Sequence, residues 1–230
     1  MTTLDYVALA LFGAMWFAFA WVTAKSSIFG RRSLTQLMAE RRREWIMNSI
    51  TRDLKMIDTS ILAGLQNGTA FFASTSILAI GGCFALLGAT EQVDAVFRDL
   101  PIAIQGGRPA FEMKVCGLTI LFGYSFFKFG WSYRLFNYCT ILFGALPMMA
   151  ESQAHPHKAQ VAAERVVRMN IIAAKHFNAG LRAIFLSIGY LGWFISPYVF
   201  IASSVFIFVI LLRRQYFSEA REAILGDWPS

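Results

Sequence analysis

FEMKVCGLTILFGYSFFKFGWSYRLFNYCTILFGALPMMA, residues 111–150, decides the fold class. Beyond Lys114 its only charged residues are Lys128 and Arg134. A helix needs about 20 apolar residues to cross a bilayer core, so the stretch is about twice too long for one plain span. We therefore expect a transmembrane helix over 113–134 and an apolar helical continuation over 135–150. That continuation needs other parts of the chain to cover it.

The composition predicts a membrane protein. Of 230 residues, 57% are hydrophobic, and the mean hydropathy is +0.52, which is too apolar for an ordinary soluble domain. We expect an all-α, polytopic fold with four transmembrane helices over 6–24, 64–89, 113–134 and 183–212. The net charge of +7 is carried by residues that flank these spans. That placement indicates anionic lipid, not nucleic acid, as the partner.

Two amphipathic segments precede the second and fourth spans, at about 34–62 and 158–182, and we expect them to run into those spans as long cytoplasmic extensions. In the first segment, isoleucine and leucine recur every three or four residues, which is typical of one helical face. The expected stripe comprises Ile46, Ile50, Leu54, Ile57 and Ile61. It is the candidate to cover the apolar continuation after residue 134.

The spans and extensions make one membrane domain over residues 1–230. Positive-inside counting favours periplasmic termini and cytoplasmic amphipathic helices. Arg213 and Arg214 disagree with that assignment, because it puts these two cations on the periplasmic side. In the first span, Ala10, Ala14 and Ala18 form a small-residue stripe suited to close helix packing. Three cysteines within apolar segments, without metal spacing, predict buried thiols.

Lys128 is the strongest candidate for a functional residue, because placing an ionisable group inside a span costs free energy and such groups are often functional. Lys128 and Arg134 could bind an anion or line a pore. The alternative for Lys128 is that its side chain extends to the inner interface. Ser74 and Ser76 in the second span could line the same polar path, or bond to the helix backbone.

The second amphipathic helix carries a basic face that predicts contact with anionic lipid or an acidic partner, unless it is simply a solvated surface. Its residues are Arg165, Arg168, Lys175 and Arg182, with Lys158 at the start. Asn170 falls on the opposite, apolar face, where a buried amide could fix the packing register.

Nothing in the chain resembles an active site. There is no G-x-S-x-G, P-loop, H-E-x-x-H or paired-carboxylate arrangement. His155, His157 and His176 have no acidic or cysteine neighbours at ligand spacing. We therefore expect no catalytic role, no metal and no cofactor.

Several segments together resemble the four-span membrane protein family called domain of unknown function 599, found in bacteria and plants. They are RRREW at 41–45, DTSILAGLQNGTAFFAST at 58–75, FFKFGWSYR at 126–134 and NAGLR at 178–182. The resemblance covers nearly the whole chain. It implies a bacterial inner-membrane protein, and it implies no activity, because the family has none established.

Two functions fit this reading. The first is a homo-oligomeric channel or transport-type protein, with anions as candidate species, in which Lys128 faces a subunit axis. The second is a non-catalytic accessory or scaffold subunit of a larger membrane complex, held through the aromatic third helix and the basic face.

Overall fold

A computed structural model of the protein describes residues 1–24, 31–90 and 107–226. Within these residues the fold is built from helices, with no β-strand. The elements are α1 (Thr3–Ala24), α2 (Leu34–Ser49), α3 (Met56–Gly88), α4 (Gly107–Gly144), α5 (Met149–Ala154), α6 (Pro156–Leu191), a 3-10 turn (Gly192–Phe194), α7 (Pro197–Tyr216) and α8 (Glu219–Leu225). The all-α prediction is confirmed.

Among the described residues, five helical segments are long and apolar enough to cross a membrane, which indicates a membrane location. Their bounds are Thr3–Thr23, Met56–Gly88, Gly107–Gly144, Pro156–Phe194 and Pro197–Leu225. The prediction of four spans is not confirmed, because the predicted span 183–212 contains two helices. Ser196 is extended, with φ −163° and ψ 161°, and caps α7 by accepting from the Val199 amide. Pro197 then occupies the first turn, where its missing N–H costs nothing.

The two helices that replace the fourth span form an antiparallel hairpin. Next to the turn, the Trp193 ring stacks on Phe200 with centroids 5.2 Å apart. Farther from the turn, Ser203 Oγ donates to the Gly189 carbonyl at 2.6 Å. A Cβ added at Gly192 would lie 2.9 Å from the Val199 carbonyl oxygen. The hairpin therefore closes because glycine lets the two backbones approach.

The predicted helix over 34–62 is also interrupted, between Ser49 and Met56. Ser49 Oγ donates to the Ile46 carbonyl at 2.7 Å, and Thr51 Oγ1 donates to the Asn48 carbonyl at 2.8 Å. Such local bonds compete with helix hydrogen bonding. Because of the break, α2 and α3 are not one continuous helix, and the apolar face of α2 does not continue along α3. Ile46 and Ile50 are buried. The other members of the expected stripe, Leu54, Ile57 and Ile61, are exposed.

The other two long helices agree better with the sequence. Helix α4 continues without a break from the predicted span 113–134 to Gly144. Helix α6 includes the whole predicted segment 158–182 and continues to Leu191.

The chain divides into two compact units. Unit 1 comprises Met1–Leu34, Ser76–Ser125 and Leu181–Ser230. In unit 1, Phe12 packs on Phe200 at 5.3 Å and Phe19 on Phe208 at 6.0 Å, so α1 and α7 run in the same direction. Its core is rich in aromatic side chains. The buried members include Phe12, Phe19, Phe111, Tyr190, Trp193 and Phe200.

Unit 2 comprises Thr35–Thr75 and Phe126–Gly180. Its largest core cluster consists mostly of small and aliphatic residues: Ile46, Ile50, Leu62, Cys139, Phe143, Leu146, Ala159, Ala163, Val166 and Val167. The apolar continuation of α4 is thus covered by α2 and α6. Only the α2 part of the expected stripe contributes strongly to that cover.

The three cysteines differ in exposure. Cys83 and Cys139 are buried, but Cys116 is exposed. The expectation of three buried thiols is therefore wrong for Cys116, which lies on the outer side of α4 in a single chain.

Candidate functional site

The most highly connected polar group in unit 1 is the Asp5 carboxylate near the start of α1. Its Oδ1 accepts from Trp193 Nε1 at 2.7 Å, and its Oδ2 accepts from the Thr2 amide at 2.7 Å and from Thr2 Oγ1 at 2.9 Å. Lys114 Nζ donates to the Trp193 carbonyl at 2.7 Å and lies 5.5 Å from the Trp193 ring centroid. Trp193 thus connects a buried anion to a buried cation.

This network, which we call the Asp5–Trp193–Lys114 network, joins α1, α4 and the 3-10 turn. All three side chains are buried, so each charge depends on the others for compensation. Sequence reasoning missed it because Asp5 and Lys114 stand at the edges of apolar segments, where charges usually mark topology. The only available signal was that both charges fall inside helical, apolar surroundings.

Arg182 is a second cation in unit 1 that is shielded from solvent, although only half-buried, and its environment differs from that of Lys114. Its Nη1 donates to Thr23 Oγ1 at 3.3 Å, and its guanidinium carbon lies 5.4 Å from the centre of the Phe19 ring. The Nε atom is buried and has no hydrogen-bond partner. The residue was predicted on an exposed basic face, but the structure packs it against α1.

Unit 2 contains a fully buried carboxylate, Asp58, in the first turn of α3. Its Oδ1 accepts from Trp45 Nε1 at 2.7 Å and from an Arg52 Nη1 at 2.8 Å, while its Oδ2 has no partner. Nearby, Lys55 Nζ donates to the Pro147 carbonyl at 3.1 Å. Burial lowers the pKa of Lys55, and the charge of Asp58 offsets part of that shift. Asp58 therefore ties α2 and the interhelical break to α3.

A buried polar chain crosses the core of unit 2. Arg42 Nη1 donates to Asn170 Oδ1, Asn170 Nδ2 donates to Cys139 Sγ at 3.5 Å, and Cys139 Sγ lies 3.8 Å from the Val166 carbonyl. Burial lowers the pKa of the Arg42 guanidinium, although arginine remains charged in proteins. Asn170 is completely buried, and it bonds to α2 and to α4, as expected of a residue that fixes packing register.

The four residues predicted to line a pore have different local surroundings. Ser74 is exposed and Ser76 is buried, so they lie on different sides of α3. Lys128 is half-buried within electrostatic range of His176. Arg134 is exposed and donates from Nε to Tyr138 Oη at 2.6 Å, one turn further along α4.

Three of the four predicted basic-face residues are exposed on α6: Arg165, Arg168 and Lys175. Arg168 lies 3.7 Å from Glu164, which also pairs with Arg43 at 2.9 Å. Among the described residues, no group of three or more His, Cys, Asp or Glu side chains could hold a metal ion. The described residues thus include a basic surface on α6 and several buried charge networks.

Comparison with known proteins gives one result. No curated protein and no solved structure matches this chain. A family model described as "Protein of unknown function, DUF599" matches residues 7–220. Because the match covers most of the chain, and agrees with the resemblance of the four quoted segments, the protein belongs to the DUF599 family.

Proposed function

We propose that the chain forms a homo-oligomeric membrane protein of the channel or transport type, with anions as the candidate species. The observation that carries this proposal is the exposed face of α3. A Cβ added at Gly64, Gly68, Gly81 or Gly82 would have no described atom within 4 Å. Glycine inside a helix costs about 1 kcal/mol relative to alanine, and no contact with the described residues of the same chain requires it at these positions.

Close packing against another helix would account for these glycines. Gly64 and Gly68 have the G-x-x-x-G spacing that lets membrane helices approach each other. Asn67 and Ser74 are exposed on the same helix, where lipid would leave polar groups poorly satisfied. A second copy of the chain would cover both the glycines and the polar groups, and it would place Ser74 at a subunit interface.

Five spans would place the two termini on opposite sides of the membrane, which replaces the expectation that both are periplasmic. Arg213 and Arg214 at the end of α7 would then lie on the same side as the basic residues of α2 and α6. That arrangement satisfies positive-inside counting without the earlier exception. We propose a bacterial inner-membrane location and no catalytic activity.

Lys128 and Arg134 support anions as the candidate species. Both are cations on α4, where Lys128 is half-buried and Arg134 is exposed. Positive charge at a vestibule concentrates anions and raises their entry rate.

The first experiment is native mass spectrometry of the gently solubilised protein, followed by anion flux in liposomes. The proposal predicts a closed homo-oligomer and anion flux that falls in Lys128→Ala. Lys175→Ala is the matched control, because Lys175 is an exposed lysine on α6. A monomer that supports no flux would contradict the proposal, and equal flux in both variants would remove Lys128 from the mechanism.

The second candidate is an accessory or scaffold subunit. It is favoured by aromatic residues exposed on α4, among them Phe127 (74%), Trp131 (48%) and Tyr133 (40%), together with the basic face of α6. Its expected result is a stoichiometric complex with a different membrane protein. That result would replace the self-sufficient channel.

A further inference from the structure

The environment of Arg182 in unit 1 leaves a positive charge without compensation. A guanidinium has five N–H donors, and here one of them reaches Thr23 Oγ1 at a long 3.3 Å. The Nε donor is buried without an acceptor. Since arginine does not lose its proton in proteins, the charge persists at any physiological pH.

No described carboxylate pairs with Arg182. The other buried charges of unit 1 do not help, because Asp5 already accepts from Thr2 and Trp193. Thr23 cannot supply a counter-charge, since its hydroxyl is neutral; that hydroxyl donates its proton to the Phe19 carbonyl at 2.8 Å. Its role is to accept from Arg182 and thereby orient the guanidinium.

Further cations lie at the same end of unit 1. The Arg214 guanidinium carbon is 5.2 Å from the centre of the Phe185 ring, one turn along α6 from Arg182. Tyr216 Oη donates to the Val22 carbonyl at 3.3 Å, next to Thr23. The ends of α1 and α7 therefore meet α6 where two arginines are present. Such an arrangement attracts anions.

We propose that Arg182, oriented by Thr23, binds a phosphate-type oxyanion at this end of unit 1. The planar guanidinium fork fits two oxygens of one oxyanion, which a spherical ion cannot match. The side chain is half-buried, so its outer edge remains within reach of a ligand. The phosphate group belongs either to an anionic phospholipid or to free inorganic phosphate.

This inference does not depend on the channel proposal, because binding requires neither transport nor a particular oligomer. The purified full chain, in a detergent free of phosphate, is titrated with phosphatidylglycerol under native mass spectrometry, with phosphatidylcholine as the neutral reference. A parallel arm measures the shift of the melting temperature with inorganic phosphate. The variants are Arg182→Gln and its control Arg108→Gln, which changes an exposed arginine of unit 1 at the start of α4.

We expect Arg182→Gln to weaken phosphatidylglycerol binding at least about tenfold, the loss typical of one charge-assisted hydrogen bond. Arg108→Gln should stay within about twofold, as expected of an exposed charge. If Arg182→Gln loses only phosphatidylglycerol binding, the bound phosphate belongs to a lipid headgroup. If it loses the shift of the melting temperature with inorganic phosphate, the ligand is free phosphate.

Equal binding by the wild type and Arg182→Gln in both arms would overturn the proposal. If Arg182→Gln does not fold, Arg182→Lys takes its place, because lysine keeps the charge and lacks the fork. Wild-type affinity in Arg182→Lys would also overturn the proposal. A loss of binding in Arg182→Lys that the control variant does not show would support it.

Discussion

The two units solve the same packing problem with different side chains. Unit 1 fills its core with rings that meet edge-on or stacked, such as Phe12 against Tyr190 at 5.7 Å. Unit 2 fills its main cluster with alanine and valine from α6, which pack against Ile46 and Phe143. Large aromatic rings keep neighbouring helices farther apart and fix their arrangement through specific ring–ring geometry, whereas small residues let helices approach closely.

The placement of buried polar groups differs as well. In unit 1, the Asp5–Trp193–Lys114 network and Arg182 lie near helix ends, leaving the middle of the bundle aromatic. In unit 2, the chain of Arg42, Asn170 and Cys139 crosses the core itself. A bilayer penalises polar groups most at its centre. The distribution in unit 1 is the one that a bilayer favours, whereas a polar chain through a core, as in unit 2, needs its donors and acceptors to be paired.

The largest effect should come from Gly192→Leu in unit 1. The added Cβ would lie 2.9 Å from the Val199 carbonyl oxygen, and that backbone atom cannot move without opening the hairpin. We expect a loss of about 3 kcal/mol, read as a lower melting temperature in detergent. Gly123→Leu is the control, because no described atom lies within 4 Å of its added Cβ. An equal loss in both variants would show that the close approach does not matter.

Asn170→Leu tests the polar core of unit 2. The change removes the acceptor of Arg42 and the donor to Cys139, so a half-buried cation loses its partner. The expected cost is about 2 kcal/mol, measured by thermal unfolding. Asn67→Leu, at an exposed position of α3, should cost much less in the monomer. Unchanged stability in Asn170→Leu would mean that the polar chain is not a structural element.

Asp58→Asn tests the link between α2 and α3 in unit 2. The amide oxygen still accepts from Trp45, but the charge that pairs with Arg52 is lost. We expect a loss of about 1 kcal/mol, since Arg52 is partly solvated. Hydrogen exchange should increase around residues 50–55 and not in unit 1. Asp53→Asn, at an exposed position, serves as the control. Equal hydrogen exchange in both variants would show that Asp58 does not link α2 to α3.

The smallest effect concerns pH. Burial lowers the pKa of Lys55 from its ordinary 10.5, so the folded state holds that proton less tightly than the unfolded chain does. Below the lowered pKa the burial penalty is fully present, and it disappears as pH rises towards 10.5. The wild type should therefore gain stability over Lys55→Met in that window, by less than about 1 kcal/mol. A pH-independent difference would contradict this assignment.

The sequence predicted the parts of the fold that depend on periodicity and length. Helix α6 and the continuation of α4 follow from apolar patterns that extend without interruption. The breaks at residues 50–55 and 192–196 do not, because Ser49, Thr51 and Ser196 act through local hydrogen bonds. Hydropathy alone could not separate the two helices within 183–212, since both are apolar and the turn between them lacks charge.

The candidate sites were harder to predict, because they depend on which residues meet in space. Lys128 attracted attention as an isolated cation, but the most connected buried charges are Asp5, Lys114 and Asp58. Asp5 and Trp193 are far apart in the chain. Only the antiparallel hairpin brings them together, and that hairpin was not predicted.

The unequal exposure of the three thiols gives each unit its own native chemical reporter. A maleimide added to the folded protein should label Cys116 alone, and only where that face of α4 is reached by water. Labelling of Cys83 would report opening of the unit 1 core, and labelling of Cys139 would report opening of unit 2. The order in which the three positions react would rank the stability of the two units without any engineered cysteine.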